Sequence, residues 1–338
     1  MITEGISAVV APPARPPSAT EPARQRRRAR KGRLLLPKPA GVSRKIAWHY
    51  VIAISTMHAL ALFACVPWLF SWSGLILCLL GTHVFGSGIN IGYHRLLTHR
   101  SFQCSERVER FFVFLALCCF EDTPATWVAT HRLHHKDSDE RPDPHSPLVN
   151  FWWAHMGWLM FENKDVQNLN TYDRVARDVL KTPFYMWLQR GFNGVLIYAL
   201  HAIAFVAAGF FIGWWWGGTT TAGVQLGLSW LVWAVILRTV LVWHITWSVN
   251  SLSHVFGYRN HETPEHSRNN WLVAAIAAGE GWHNNHHDDP TAASNWHRWW
   301  EFDLSYCVIK VLEKLGLAWD VNQPGRTGAR PYADGGEG

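Results

Sequence analysis

The sequence predicts an all-α integral membrane protein with four transmembrane helices. Hydrophobic residues make up 49% of the 338 residues, whereas charged residues make up only 17%. The apolar residues are concentrated in four stretches, and each is close to the roughly 20 residues that a helix needs to cross a bilayer core. The stretches are residues 46–70, 72–92, 194–217 and 225–249. Buried core helices of a soluble protein are the alternative, which four stretches of this length in one chain disfavour.

The segment before the first stretch, residues 1–45, is basic, because it contains 11 Lys or Arg and only two Asp or Glu. Together with several prolines, this composition predicts disorder. A basic segment beside an apolar stretch also places the N-terminus on the cytosolic side. A cleaved transit peptide fits the same composition, whereas nucleic-acid binding is disfavoured because no folded module accompanies the basic run. Residues 46–320 are predicted to form one domain, and residues 321–338 a disordered C-terminal tail.

Four further features refine the membrane prediction. Trp214, Trp215 and Trp216 end the third stretch, as aromatic residues do at a membrane interface. Arg238 inside the fourth stretch is expensive in lipid, so we expect it to face the protein interior. Residues 111–120 are apolar but too short to cross, which predicts a re-entrant or interfacial helix. The six cysteines show no paired spacing, which predicts reduced thiols.

Eight of the 19 histidines fall into three short clusters. The clusters are His94-x4-His99, His131-x2-His134-His135 and His283-x2-His286-His287. Neutral imidazole is a good ligand for Fe, Cu, Zn and Ni, and positions i, i+3 and i+4 of a helix share one face. Each H-x-x-H-H motif is therefore predicted to aim three ring nitrogens at one point. Eight clustered histidines, with no Cys or carboxylate among them, predict two metals with coordination positions left open.

The predicted topology brings the three clusters to one side of the membrane. Two helices cross before the first cluster, and two more cross between the second and the third. Both termini and all clusters are therefore expected on the cytosolic side. His254 follows the fourth stretch on this side, with Asn250 four residues before it, and the spacing leaves a metal ligand and a surface histidine as equal alternatives. Because a transporter places ionisable ligands within its spans, the pattern favours an enzyme over a histidine-rich membrane metal carrier or sensor.

Over about residues 44–320, the chain resembles the membrane-bound fatty acyl desaturases, the stearoyl-CoA desaturase-like family. The resemblance rests on the three clusters, on Asp143-Pro-His145-Ser-Pro and on the segment from Thr246 to Gly257, in matching order and spacing. It implies four transmembrane helices under a cytosolic helical cap, and a non-haem centre of two irons in a histidine-rich site. The nine ligands that it implies are His94, His99, His131, His134, His135, His254, His283, His286 and His287, and Asn250 would hold a water on one metal.

The resemblance also implies residues that surround the substrate. Trp127, Thr246 and Trp247 match residues that line a bent tunnel for the acyl chain, although the two tryptophans taken alone indicate an interfacial belt or core. Asp288 and Asp289 follow the last cluster. They are predicted either to orient ligand imidazoles or to be solvated charges, and both alternatives stay open.

The activity that the resemblance implies is O2-dependent insertion of a cis double bond, at the Δ9 position, into a saturated acyl chain. A fatty acyl hydroxylase or sterol-type oxidase of the same histidine-rich superfamily is the enzymatic alternative. Because no cytochrome b5 region is fused here, electrons are expected from a separate protein of the ferredoxin or cytochrome b5 type. Ala129, Thr130 and Asp122 stand where acyl-CoA members carry CoA-binding residues. These departures favour a membrane glycerolipid over CoA as the carrier, and both stay open.

Overall fold

The computed structural model describes residues 36–325, and four of its helices are long and apolar enough to cross a membrane. These four are Trp48–Cys65, Trp72–Thr98, Asn193–Gly217 and Thr220–Val255. The chain is mostly helical, so the prediction of an all-α protein with four membrane-length helices is confirmed.

The helices and strands are short outside these four. The α-helices of the described part are α1 (Trp48–Ala61), α2 (Trp72–Ser87), α3 (Glu106–Leu117), α4 (Pro124–Lys136), α5 (Phe151–His155), α6 (Leu169–Val175), α7 (Arg177–Leu180), α8 (Pro183–Gln189), α9 (Asn193–Gly217), α10 (Thr220–Trp230), α11 (Arg238–Val255), α12 (Trp271–Ile276), α13 (His283–Asp288) and α14 (Leu304–Lys314). A first π-helical segment (Gly88–Thr98) continues α2, a second (Leu231–Leu237) joins α10 to α11, and 3₁₀ turns occupy Leu62–Cys65, Pro67–Leu69 and Gly157–Met160. The antiparallel strand pairs are β1 (Val42–Ile46) with β3 (Phe161–Asn163), and β2 (Gln103–Cys104) with β4 (Ala318–Trp319).

The second and fourth membrane helices extend beyond their predicted ends at residues 92 and 249. The second continues to Thr98 and the fourth to Val255. His94 and His254 therefore lie on the continuations of these helices. Hydropathy falls where polar residues begin, but the backbone stays helical because those residues are buried and paired, as the buried ion pair of Arg95 with Glu280 illustrates.

Both predicted domain boundaries fall inside ordered structure. Strand β1 covers residues 42–46, and Lys38 lies over the Phe161 ring, 3.7 Å from its centroid. At the other end, Asn322 donates its backbone N–H to the Ser101 carbonyl, 2.9 Å away. Predicted disorder is thus wrong for residues 36–45 and 321–325, because backbone pairing holds them. The predictions for residues 1–35 and 326–338, including the transit peptide, lie outside the described residues.

Arg238 faces the protein interior, as predicted. It is fully buried and donates to the Cys118 carbonyl and the His201 ring at 2.8 and 3.1 Å. The predicted short apolar helix corresponds to α3, which buries one face and leaves Phe111 and Phe114 exposed on the other. It is not among the membrane-length helices. All six cysteines lie in the described part and are free.

Candidate metal centre and adjoining cavity

The nine predicted histidine ligands converge into two groups. They come from the first π segment with its C-cap, from α4, from the end of α11 and from α13. The five-histidine group is His94, His99, His131, His135 and His286, and the four-histidine group is His134, His254, His283 and His287. Within each group, one ring nitrogen per residue lies within 4.8 Å of all the others. Each group could therefore hold one metal ion.

Each H-x-x-H-H motif is divided between the two groups, so the prediction that its three rings meet at one point is wrong. On α4, His131 and His135 join the five-histidine group, whereas His134 joins the other. The reason is angular. An α-helix turns about 100° per residue, so position i+4 lies about 40° to one side of position i, and i+3 about 60° to the other side. On α13, His283 and His287 join the four-histidine group, whereas His286 joins the five-histidine group. Each of the two helices therefore contributes to both groups.

The first cluster depends on the first π segment. In an α-helix, positions five apart point in different directions, but a π turn is closed by an i→i+5 hydrogen bond. Here the backbone N–H of His99 donates to the carbonyl of His94 at 3.1 Å. The two rings consequently lie on the same side of the segment and meet edge to face, with centroids 4.8 Å apart. The sequence spacing indicates this pair of histidines but not the π geometry that brings their rings together.

The close approach of the ring nitrogens in the five-histidine group indicates a shared cation. Nδ1 of His94 lies 3.0 Å from a Glu280 carboxylate oxygen and so carries the proton, which leaves a lone pair on Nε2. That Nε2 lies 3.1 Å from Nε2 of His286, which is also 3.0 Å from Nε2 of His135. A single N–H at Nε2 of His286 could donate to only one of these two nitrogens, so hydrogen bonding does not account for both contacts. Both ring nitrogens of His99 are buried with no hydrogen-bond partner among the described residues.

The four-histidine group repeats this arrangement. His254 directs Nδ1 at Asp139, 3.0 Å away, and Nε2 at the Nε2 of His283, also 3.0 Å away. His134 directs Nδ1 at Asp143 at 3.0 Å, and its Nε2 is buried without a hydrogen-bond partner in the described part of the chain. In each anchored ring, Nδ1 faces a carboxylate and Nε2 faces inward, as in metal sites where carboxylates hold the ligating histidines.

The carboxylates that orient the rings are Glu280, Asp143 and Asp139, and none of the three was predicted in this role. The sequence suggested Asp288 and Asp289 instead. Asp288 pairs with the ring of His261, which is not one of the nine, and Asp289 accepts hydrogen bonds from Thr291 and Gly325. The alternative in which these two residues orient ligands is therefore wrong. The available signal was the Asp139-x3-Asp143 spacing directly after the second cluster.

Arg95 fixes Glu280 in turn. This buried guanidinium donates to Glu280 at 2.7 Å and to Asp303 at 2.9 Å. Burial alone would raise the pKa of Glu280, but the Arg95 charge holds it at about 2. Glu280 therefore stays ionised and keeps accepting from His94.

Burial holds several of the ligand rings in the neutral form. Burial lowers the pKa of His99, His131 and His283 well below the ordinary histidine value, and the neighbouring imidazoles lower it further. Only the neutral ring can bind a metal. The electrostatics of the site therefore favour the metal-binding form.

A cavity of about 440 Å³ adjoins the two groups. This volume lies within the range of about 300–1,000 Å³ that is usual for ligand sites. His94 and His131 of one group line it, as do His283 of the other group and Asn250. The rest of its wall is largely apolar. Both groups can therefore face one bound molecule.

Trp127, Thr246 and Trp247 all line this cavity. Trp247 is only 4% exposed, so the alternative that it belongs to an interfacial belt is wrong. The Thr246 hydroxyl donates to Glu121 at 2.8 Å, and the Trp127 side chain also hydrogen-bonds to Glu121. Glu121 therefore connects α4 to α11 at the cavity wall, a role that the sequence did not reveal. Burial raises the pKa of its carboxyl to about 8.

The charged groups at the cavity are acidic. Glu121, Asp122 and Glu280 line it, whereas no Lys or Arg is among the described residues that do. Asp122 is held by the Tyr50 hydroxyl at 2.8 Å. A phosphate-rich ligand would find no cation in this wall.

Comparison with known proteins identifies relatives over most of the chain. The fatty acid desaturase family model matches residues 67–304. An sn-1 stearoyl-lipid 9-desaturase of Synechocystis sp. is 38% identical over 282 residues, which cover 83% of this chain and 82% of that protein. An sn-2 palmitoyl-lipid 9-desaturase of Nostoc sp. is also 38% identical, covering 82% of this chain and 91% of the relative. An acyl-CoA 5-desaturase of Anemone leveillei is 37% identical, covering 83% and 84%.

The matched region contains all nine histidines of the two groups, and the relatives share a reaction on fatty acyl chains by name. The resemblance drawn from the motifs is therefore confirmed. The chain belongs to the fatty acid desaturase family and is an oxidoreductase that acts on a fatty acyl substrate.

Proposed function

We propose that the protein is an O2-dependent di-iron desaturase that introduces a cis Δ9 double bond into a saturated acyl chain of a membrane glycerolipid. The observation that carries the proposal is the pair of imidazole groups, five and four, beside one largely apolar cavity. The names of two relatives, both lipid 9-desaturases, support the bond position and the carrier.

Iron fits the two donor sets. Each set consists of imidazoles, a donor type that binds Fe²⁺, although its intrinsic affinity for Zn²⁺ is higher. Asn250 lies one turn before His254 on α11 and would hold a water for the four-histidine group. Bound iron supplies the one-electron and O2 chemistry of the reaction.

The overall reaction takes one hydrogen from each of two adjacent methylenes. An external protein donor supplies two electrons, solvent supplies two protons, and O2 leaves as two molecules of water. The part of this chain is to hold the methylenes beside the two groups and to exclude bulk water. Trp127, Thr246 and Trp247 are proposed to hold them, with Glu121 fixing the first two.

The bond position follows from geometry, because a saturated methylene offers no polar group for recognition. A chain threaded past Trp247 and Thr246 meets the histidine groups at a carbon set by its distance from the head group. The lack of Lys or Arg in the described cavity wall, together with Asp122, supports a glycerolipid over CoA. The acyl-CoA relative keeps CoA as the alternative carrier.

We place both histidine groups, and both termini, on the cytosolic side of the membrane, under a helical cap. The even number of membrane-length helices before and between the clusters supports this topology. A soluble or membrane-attached donor of the ferredoxin or cytochrome b5 type would then reach the centre from the cytosol.

The test is reconstitution of the purified protein with ferrous iron, a reduced donor and O2 in saturated glycerolipid bilayers. Iron per chain and the acyl products are measured for wild type, for His286→Ala and for the matched control His261→Ala. We expect His286→Ala to lose iron and all desaturation, and His261→Ala to keep both. Hydroxylated products, or full activity in His286→Ala, would overturn the proposal.

A further inference from the structure

The cavity beside the metal centre is separated from the membrane-facing surface by a thin wall. Asn90, Ile245, Thr246 and Ala277, here called the partition, line the cavity on one side. The same four residues line a second, outer pocket of about 20 Å³ on their other side. The wall between the two spaces is therefore a single layer of residues.

The outer pocket opens between two membrane-length helices. Its remaining lining comes from Thr82, His83 and Gly86 on the second membrane helix, from Val242 on the fourth, and from Ile276 and Ala278. His83 is exposed and Ile276 is 39% exposed. Apart from its own helix, no atom lies within 4 Å of the place where a Cβ on Gly86 would stand. A larger side chain at Gly86 would therefore find open space beside this pocket.

One hydrogen bond crosses the partition. The Asn90 side chain donates to the Ala277 carbonyl at 3.0 Å, which joins the first π segment to the loop after α12. This loop is strained, because Ala278 has a φ of 53° and is not a glycine. Residues in this region cost of the order of 1–3 kcal/mol and often occur where a structure must switch. The Asn90–Ala277 hydrogen bond therefore joins the two sides of the partition, while Thr246 is held separately by Glu121.

We infer that the partition is a lateral gate, through which an acyl chain still attached to a membrane glycerolipid passes from the bilayer into the cavity between α2 and α11. The inference rests on the proposed function, and it specifies how the substrate arrives. A glycerolipid chain needs no cation along its path, and no Lys or Arg is among the described residues that line the cavity or the outer pocket.

The test uses the iron-loaded protein in nanodiscs and a phosphatidylcholine with a diazirine near the middle of one saturated chain. Gly86→Trp fills the outer mouth, and Val84→Trp places the same side chain on the same helix at an exposed position outside both pockets. Photolabelling of the peptide that contains Trp247 is quantified by mass spectrometry, and iron per chain reports folding. Gly86→Phe replaces Gly86→Trp if the latter does not retain iron.

We expect at least a tenfold loss of labelling in the plugged variant, with iron retained, and no loss in Val84→Trp. Equal labelling of Gly86→Trp and wild type would overturn the gate alone, because the lipid then enters elsewhere, for instance beside the exposed Phe192. If wild type is labelled by a diazirine acyl-CoA and not by the lipid, both the gate and the proposed carrier are overturned.

Discussion

Glu121 should make the stability of this protein depend on pH in a way that one substitution removes. The carboxyl is partly buried in the cavity wall, where it accepts a hydrogen bond from the Thr246 hydroxyl at 2.8 Å. Burial raises its pKa from 4.5 to about 8. Glu121→Gln keeps the size of the side chain and an oxygen acceptor for Thr246, but it stays neutral at every pH. The comparison therefore isolates the cost of ionising this carboxyl.

The sign follows from proton binding. Because the folded-state pKa lies above the unfolded value, the folded protein binds more protons between these two values. The contribution of the neutral carboxyl to the stability of the folded protein is fully present below about pH 4.5, and it is lost as the pH rises toward 8. Each pKa unit corresponds to about 1.4 kcal/mol, so the free energy of unfolding should fall by about 3 kcal/mol between pH 5 and 7.5 in wild type relative to Glu121→Gln.

Thermal or denaturant unfolding in a fixed detergent, from pH 5 to 8.5, measures this difference. Ionisation of the histidine groups affects wild type and variant alike and cancels in the comparison. Glu140→Gln, at an exposed position, is the matched control and should run parallel to wild type. Parallel curves for wild type and Glu121→Gln would refute the argument, since they would mean that Glu121 is solvated when ionised.

Further outcomes test the centre and the cavity. Elemental analysis should find about two metal ions per chain, partly zinc in overproduced protein because imidazole prefers Zn²⁺ to Fe²⁺. Less than one metal ion per folded chain would contradict the assignment of two metal-binding groups. Glu280→Gln should weaken metal binding about 10–100-fold in chelator competition, whereas Glu140→Gln should not. Trp247→Ala should cost roughly 3–5 kcal/mol and yield mixed double-bond positions by gas chromatography; a single position at the wild-type rate would exclude its role. With acyltransferases blocked, labelled stearoyl-CoA should give no early oleoyl-CoA.

The membrane helices and eight of the nine histidines could be predicted from the sequence itself, because apolar length and ligand spacing are local properties. The division of each H-x-x-H-H motif could not. Whether His134 joins His131 or a different group depends on which helix stands opposite, and only the packing of α4 against α11 and α13 decides this. His254 could be assigned from the family resemblance, whereas its own spacing left two alternatives.

The buried carboxylates were hidden for a related reason. Glu121 and Asp122 follow an apolar segment, where adjacent acids ordinarily indicate an exposed turn. The left-handed backbone at Phe120 and Asp122, with φ of 58° and 62°, turns this segment inward instead. Likewise, Arg95 and Glu280 are 185 residues apart in the chain, and no local pattern links them.

The first π segment has a consequence for comparing sequences of this family. In an α-helix, two histidines separated by three residues lie about 40° apart, on one face. The π turn places His94 and His99, separated by four residues, on one face as well. An α-helix with one residue fewer between the two histidines could therefore present equivalent ligands, provided that the preceding helix keeps the same rotation about its axis. The close contact at Gly88 fixes this rotation here, since a Cβ on Gly88 would lie 2.2 Å from the backbone nitrogen of Ala116. In sequence comparisons, the feature to look for is therefore the direction of the ligand rings, which the contact between helices fixes. The number of residues between the two histidines can differ by one.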